Sequence, residues 1–532
     1  MWLGIAARPT AGWSASVLPP PACAWSRKSG GFGGIGSIPS WRACRLPAKS
    51  ACSHRCGSCA PCSAVAPMLP GAVPVPDSSP VTAAAAPGAT ALPVRQQVNR
   101  LAWPAMAEML LMTLTHMVDM IMVGQLGPAA IAAVGLSTQP MFLLLGLFQA
   151  LASGGTALVA RAVGAGDDRL ANAIARQAAV ATLLFGLLVG AAGWALSPAV
   201  PRLMGAELAV QGPAADYFRI IMLSMPIVTL TFVLGAVLRG SGDTRTPMQV
   251  NAAANLVNVA GNYVLIFGHL GFPALGVTGA ALATAGARGL AGLLLLAWLL
   301  SGRRRIHLSL RESYRPQREL LRRILRVGVP AALEQLVMRA GQVVFIRLVA
   351  GLGTAVLAAH QIALSVEWLA FMPSLGFGMA AATLVGQGIG ASRPEWSEKA
   401  AYETRRIGIL VLTAIGIGLL FFGEAIVRLY TKDPEVVAMG AQALRIMAVT
   451  QPFMAVNFIM AGALRGAGDT RWPLLTTATG IWGVRVLLGY LLAVLAGLGL
   501  AGAWMAMAAD HMVRATLLTL RFRAGRWKRL SI

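Results

Sequence analysis

Four carboxylates stand inside stretches of sequence that are otherwise apolar: Glu108 in "PAMAEML", Asp119 in "HMVDMIM", Glu334 in "PAALEQL" and Glu367 in "LSVEWLA". In hydrocarbon an ionised side chain is costly, so a carboxylate there is by default a functional candidate. Its chemistry is to take a proton or hold a cation in one state and give it up in another. A second feature is a decapeptide that occurs twice. "LRGSGDTRTP" runs from Leu238 to Pro247 and "LRGAGDTRWP" from Leu464 to Pro473, with eight of ten letters shared. Each follows an apolar run. Its glycines permit a tight turn, and Asp243 and Asp469 suit the start of the next helix, where a carboxylate accepts from orphan N–H groups. The prolines fit a first helical turn. The arginines of each copy, Arg239 and Arg245 or Arg465 and Arg471, can pair with those aspartates or meet phospholipid headgroups.

The elements that position these residues are membrane spans. The chain of 532 residues is 56% hydrophobic and only 12% charged, whereas a soluble protein is about 25% charged. Apolar runs of about twenty residues recur, enough to cross ~30 Å of hydrocarbon as a helix. A soluble helical protein would need polar helix faces, and these are missing.

The spans are duplicated. The two decapeptides lie 226 residues apart, and the same shift places Pro104 on Pro330, Glu108 on Glu334, Gly164 on Gly390 and Pro226 on Pro452. No gap is needed from Leu101 to Pro247. Self-similarity of this kind marks a structural repeat. Six spans per unit are expected near 101–124, 129–160, 177–197, 215–237, 248–268 and 275–300, then near 327–350, 355–386, 406–423, 440–463, 474–496 and 499–519. The expected fold is all-α: twelve transmembrane helices in two parallel six-helix lobes around a central cavity. An N-lobe over 97–300 precedes a basic linker over 301–326, a C-lobe over 327–520 and a basic tail over 521–532.

Lys and Arg set the orientation. The loops after even-numbered spans carry Arg161, Arg169, Arg176, Arg239, Arg245, a run from Arg303 to Arg326, Arg393, Lys399, Arg405, Arg406, Arg465 and Arg471. The alternate loops offer Arg202, Arg428 and Lys432. Both termini are therefore expected in the cytoplasm. The linker reads as a basic helix on an anionic leaflet. The net charge of +24 follows this topology, which argues against nucleic-acid binding.

Residues 1–96 differ. They hold no acid before Asp77, are rich in Pro, Gly, Ser and Ala, and contain all six cysteines. "CSHRCGSCAPC" has spacing a metal cluster could use. The favoured reading is a disordered leader or a mis-assigned start, with Met68 the working start. A chain beginning at Met68 is expected to insert and transport.

With these residues in view, the chain resembles the multidrug and toxic compound extrusion family of cation-coupled efflux transporters. The resemblance rests on "MVDMIMVGQLGPAAIAAVGLS", "NLVNVAGNYVLIFG", "GVTGAALAT", "VAGLGTAVLAAHQIALS" and the paired decapeptides, and covers roughly residues 98 to 520. It implies a multi-pass plasma-membrane antiporter. Organic, cationic drugs or toxic metabolites would be exported by alternating access against a proton or sodium gradient. H+ or Na+ is the coupling ion, with no other cofactor and no bound metal. A monomer among membrane lipids is expected.

The resemblance also implies a coupling site of Asp119 on span 1, Asn258 and Asn262 on span 5, and Thr284 on span 6. The two asparagines share a helix face at i, i+4, where hydrogen bonding between helices is an equally open role. Position 262 is an aspartate in some members, so here one carboxylate remains. A sodium-coupled branch keeps acids in spans 7 and 10 at positions that are Met338 and Met454 here. Glu108, Glu334 and Glu367 remain as transport carboxylates, or as structural groups paired with an arginine such as Arg339. The methionines of span 1, Met112 and Met117 among them, suit a surface that accepts varied apolar compounds.

A lipid-linked precursor flippase is the alternative, disfavoured by twelve spans and the double decapeptide. "GSGD" and "GAGD" look like an intramembrane aspartyl protease motif, but both aspartates fall in loops. His116, His360 and His511 have no metal spacing, and no enzyme is expected.

Overall fold

The computed structural model describes residues 92–302, 305–309 and 311–530. The cysteines, Met68 and most of the leader lie outside the described residues. The first unit is α1 (Val94–Gly124), α2 (Pro128–Gly164), α3 (Asp168–Leu196), the short α4 (Ala199–Leu203), α5 (Leu208–Ser241), α6 (Arg245–Phe267) and α7 (Gly276–Leu300). The second is α8 (Arg318–Ala350), α9 (Thr354–Gly390), α10 (Pro394–Arg428), α11 (Pro434–Gly466), α12 (Arg471–Leu495) and α13 (Gly499–Arg523). The starts of α2, α3, α5 and α6 each recur 226 residues later in α9, α10, α11 and α12, so the repeat holds at the level of helix boundaries.

Local chemistry explains those starts. Gly127 and Gly353 precede α2 and α9 with φ of 105° and 121°, a region open to glycine. Proline opens α2, α10 and α11, where its missing N–H costs nothing. Asp167 accepts from Leu170 N at 2.8 Å to cap α3.

Eleven helices are long and apolar enough to cross a membrane. The twelfth, α13, is 25 residues long but carries Asp510, His511 and Arg514 in its middle, which makes it the most polar of the expected spans. The linker is not the expected surface helix. Residues 305–309 and 311–317 run as loop against the start of α3, where Arg305 donates to Asp168 at 2.6 Å and Gln177 bonds both Arg315 O and Gln317 N. Gly302 with φ of 67° breaks α7, and Pro316 delays the next helix. The basic stretch Arg318–Arg326 is instead the first turns of α8.

The first helix of each unit is shared between the lobes. Val98, Leu101 and Ala102 of α1 pack in a core with α9, α10 and α11, while Val123 at its other end packs in the first lobe. Helix α8 mirrors this: Ile324 sits in the first lobe's core and Val349 in the second's. The lobes meet most closely at the end that carries the decapeptides. There α2 crosses α9 at two repeat-related glycines. A Cβ on Gly164 would overlap the Gln387 carbonyl, and one on Gly390 the Arg161 carbonyl.

The decapeptides are part of this clamp. Arg161 donates to Ala467 O at 2.8 Å, Gln387 to Gly240 O at 3.2 Å and Thr383 to Arg239 O at 2.9 Å. The two glycines of each copy have different tasks. Gly242 and Gly468 adopt φ of 95° and 81° to end a helix. Gly240 and Gly466 let α5 and α11 touch the backbones of Thr156 and Ala382. The C-terminal tail joins them: Trp527 is buried against Phe522, and Leu530 O accepts from Arg161 at 2.9 Å.

Candidate functional site

The Asp119 cluster is assembled as the sequence anticipated. Small residues bring its helices together: Gly279 of α7 seats on the Leu265 carbonyl of α6, and Gly261 of α6 meets Ala283. Close backbone approach through small residues is the usual device where lipid supplies no hydrophobic drive. Asn258 and Asn262 face inward from α6, exposed by only 4% and 0%, and α1 lays Asp119 across them. Asn262 Nδ2 donates to Asp119 Oδ1 at 2.6 Å. With its amide oriented to suit its neighbours, Asn258 donates to the same oxygen at 2.7 Å and accepts from Thr284 Oγ1 at 3.3 Å. A carboxylate that receives two amide protons is an acceptor, and Asp119 is shown solvated by nitrogen donors.

Two members were not anticipated. Arg288 lies on α7, four residues beyond Thr284 and so on its face, and its charge acts on Asp119 and Tyr217. Tyr217 of α5, 7% exposed, closes the cluster. Arg288 was legible as the lone cation of the 275–300 span; Tyr217 had no signal.

Glu108 and Glu334 are not part of this site, and the pairing expected with Arg339 does not occur. Glu108 accepts from Arg239 at 3.0 Å and from Asn251 at 2.7 Å. Glu334 accepts from Arg465 at 2.7 Å and from Thr477 at 3.0 Å. All three partners recur at the repeat spacing. The arginine of each decapeptide therefore anchors to the first helix of its own unit rather than to the neighbouring aspartate. Asp243 accepts from Thr246 N at 3.0 Å and Thr246 Oγ1 at 2.7 Å, as a helix-start cap should. Asp469 departs from its twin and pairs with Arg521 at 2.8 Å. Arg245 and Arg471 are exposed at the same end. Glu367 lies in the other lobe from Asp119.

These pairs yield a stability prediction. Removing one partner of a buried ion pair leaves an uncompensated charge, at a cost of about 3–5 kcal/mol. Glu108→Gln and Glu334→Gln are each expected to lower the thermal unfolding temperature of detergent-purified protein well beyond any change from Arg245→Gln. Unchanged melting would remove the anchoring role.

A cavity of about 160 Å³ lies where α2, α5 and α8 meet, lined by Leu143, Gln149, Phe232, Gln335, Leu336 and Arg339 among others. It sits between the lobes, and Met112 and Met117 of α1 are exposed.

Residues 104–264 and 330–491 each match the MatE family model. The two matches begin 226 residues apart, as the decapeptides do. The chain belongs to the MatE family. It is 32% identical over 439 residues to the probable multidrug resistance protein NorM of Thermotoga maritima, covering 82% of this chain and 94% of that one. It is 34% identical over 407 residues to the multidrug resistance protein PmpM of Pseudomonas aeruginosa, covering 74% and 83%. Among solved structures, a multidrug resistance MATE family transporter of the MOP superfamily in an outward-facing conformation matches with a TM-score of 0.77, 26% identity, and 82% and 97% coverage. A MatE chain is a transporter, so Asp119 and its neighbours are to be read as a binding site within a moving bundle.

Proposed function

We propose that this MatE chain is a proton-coupled antiporter of the plasma membrane that expels small organic compounds by alternating access, with the decapeptide end in the cytoplasm. The relatives named for multidrug resistance support the substrate class. The arginine-rich loops support the orientation, and Arg245 and Arg471 are then placed to meet anionic headgroups. The cluster is complete within one chain, in keeping with a working monomer.

One observation carries the choice of proton. The groups turned toward Asp119 are the amide nitrogens of Asn258 and Asn262, with Arg288 beside them. A hard cation needs oxygen ligands, and a standing guanidinium repels it. A proton needs only the carboxylate. The sodium-branch acids are absent as well, with Met338 and Met454 in their places. The test is dye efflux from proteoliposomes energised separately by a pH gradient and by a sodium gradient. The pH gradient alone is expected to drive uphill efflux; efflux driven by sodium alone would overturn the choice.

A further inference from the structure

The C-lobe holds a second buried charge cluster, with no counterpart in the N-lobe. At the repeat position of Asp119 stands Phe345, and at that of Arg485 stands Val259. Arg485 of α12 grips Asp510 of α13 with Nε at 3.0 Å and Nη2 at 2.6 Å. Arg514, one turn on, lies 3.9 Å from the same carboxylate and donates to Thr477 at 3.0 Å. Asp510 is 0% exposed, Arg514 4% and Arg485 7%. The helices are shaped for this pair. Gly480 leaves room where any Cβ would overlap Asp510 Oδ1. Helix α12 is π-helical over Thr479–Val486 and Tyr490–Leu495, while its twin α6 is regular. Wide turns of this type often mark functional positions.

We propose that this cluster makes Glu367 of α9 a second proton site, beyond the Asp119 site and resting on the proton-coupled reading above. Glu367 forms no direct ion pair among the described residues, yet Arg485 and Asp510 act on it electrostatically. The other ionisable groups around it are committed. Glu334 is held by Arg465 and Thr477. Asp510 is held by Arg485 and Arg514. His511 receives Arg485 Nη2 at its Nε2, 3.4 Å away. A guanidinium can only donate, so that nitrogen must stay bare and the ring neutral. His360 is packed between Phe345 and Trp504. Arg339 of α8 lines the interlobe cavity.

Glu367 is the group left to titrate. Ionised, it completes a balance of three carboxylates, Glu334, Glu367 and Asp510, against the guanidinium groups of Arg465, Arg485 and Arg514. Protonated, it leaves the C-lobe one positive charge in excess, a state that low-dielectric surroundings penalise unless water enters. Its occupancy is thereby tied to hydration of the lobe. Hydrogen bonds carry the link onward, through Arg514, Thr477 and Glu334 to Arg465 of the decapeptide.

The test is infrared difference spectroscopy of the full-length protein in lipid between acid and alkaline pH. A carboxylic-acid C=O band is expected to appear at acid pH, to shift in protein carrying ¹³C-labelled glutamate, and to lose that component in Glu367→Gln but not in His511→Gln or Asp119→Asn. Glu367→Asp is expected to restore an acid band that no longer shifts with the glutamate label. A band that shows no glutamate shift in the unmutated protein, or that survives Glu367→Gln, overturns the proposal. Loss of a separate component in Asp119→Asn reports on the N-lobe site alone, so the two readings fail independently.

Discussion

Valine at Gly164 or at Gly390 is expected to abolish efflux while leaving the protein folded. Both glycines exist so that α2 and α9 can cross with backbone on backbone, and a Cβ on either overlaps a carbonyl of the opposite helix. Overpacking of a tight site costs about 1–3 kcal/mol, and here rigid backbone must move rather than a side chain. The cost falls only on the conformer in which the decapeptide end is closed. Reversing a two-state population from 1:99 to 99:1 takes about 5.5 kcal/mol, so the two substitutions together are expected to invert the equilibrium. Transport, which needs both states, should fall about 100-fold or more. Spin-label distances between the ends of α2 and α9 should lengthen, with little change in melting. Alanine should act in the same direction and less. Normal efflux with unchanged distances in the double valine variant would show that this crossing is not a gate.

The clamp was half legible in the sequence. The repeat shift paired Gly164 with Gly390 and Gly240 with Gly466 before any coordinates, because duplicated backbone geometry leaves duplicated glycines. That Gly164 faces Gln387, from the other half, could not be read, since the repeat describes each unit and not how two units meet. The sharing of α1 and α8 between lobes was hidden for the same reason.

Charges show a similar division. Asp119, Asn258, Asn262 and Thr284 were found through the family resemblance, and they converge because α1, α6 and α7 keep their register. Glu108 and Glu334 were legible as twins, but their partners were not. An arginine at a loop looks solvated, and only the fold shows Arg239 and Arg465 turned back onto the first helices. The C-lobe cluster was the least legible. Arg485, Asp510 and Arg514 lie on two helices with no repeat equivalents to draw attention to them. The π-helical turns that align them leave no composition signal.

Asp119→Asn is expected to abolish gradient-driven efflux, by about 100-fold or more, while substrate binding and folding persist. The carboxylate is the sole anion of its cluster, set against Arg288. With a proton on Asp119 the cluster carries the arginine's charge alone, and with the proton gone it is neutral. That change of one charge gives the two lobe conformations different affinities for the proton, and only a differential affinity lets a gradient move a substrate. Asparagine removes the change while keeping nearly the same volume, so Asn262 and Asn258 lose an acceptor but no space opens. Exchange of substrate down its own gradient should survive, because that step needs alternating access and no proton. Asn258→Ala should only weaken uphill efflux, since Asn262 still donates to the carboxylate at 2.6 Å. Arg288→Gln is the informative partner. Without the guanidinium the cluster cycles between neutral and negative, so efflux should persist with its pH dependence displaced toward alkaline values, as a carboxylate freed of a neighbouring cation binds its proton more tightly. Uphill efflux at full rate in Asp119→Asn proteoliposomes would move the coupling carboxylate to the other lobe, where Glu367 stands beside Arg485.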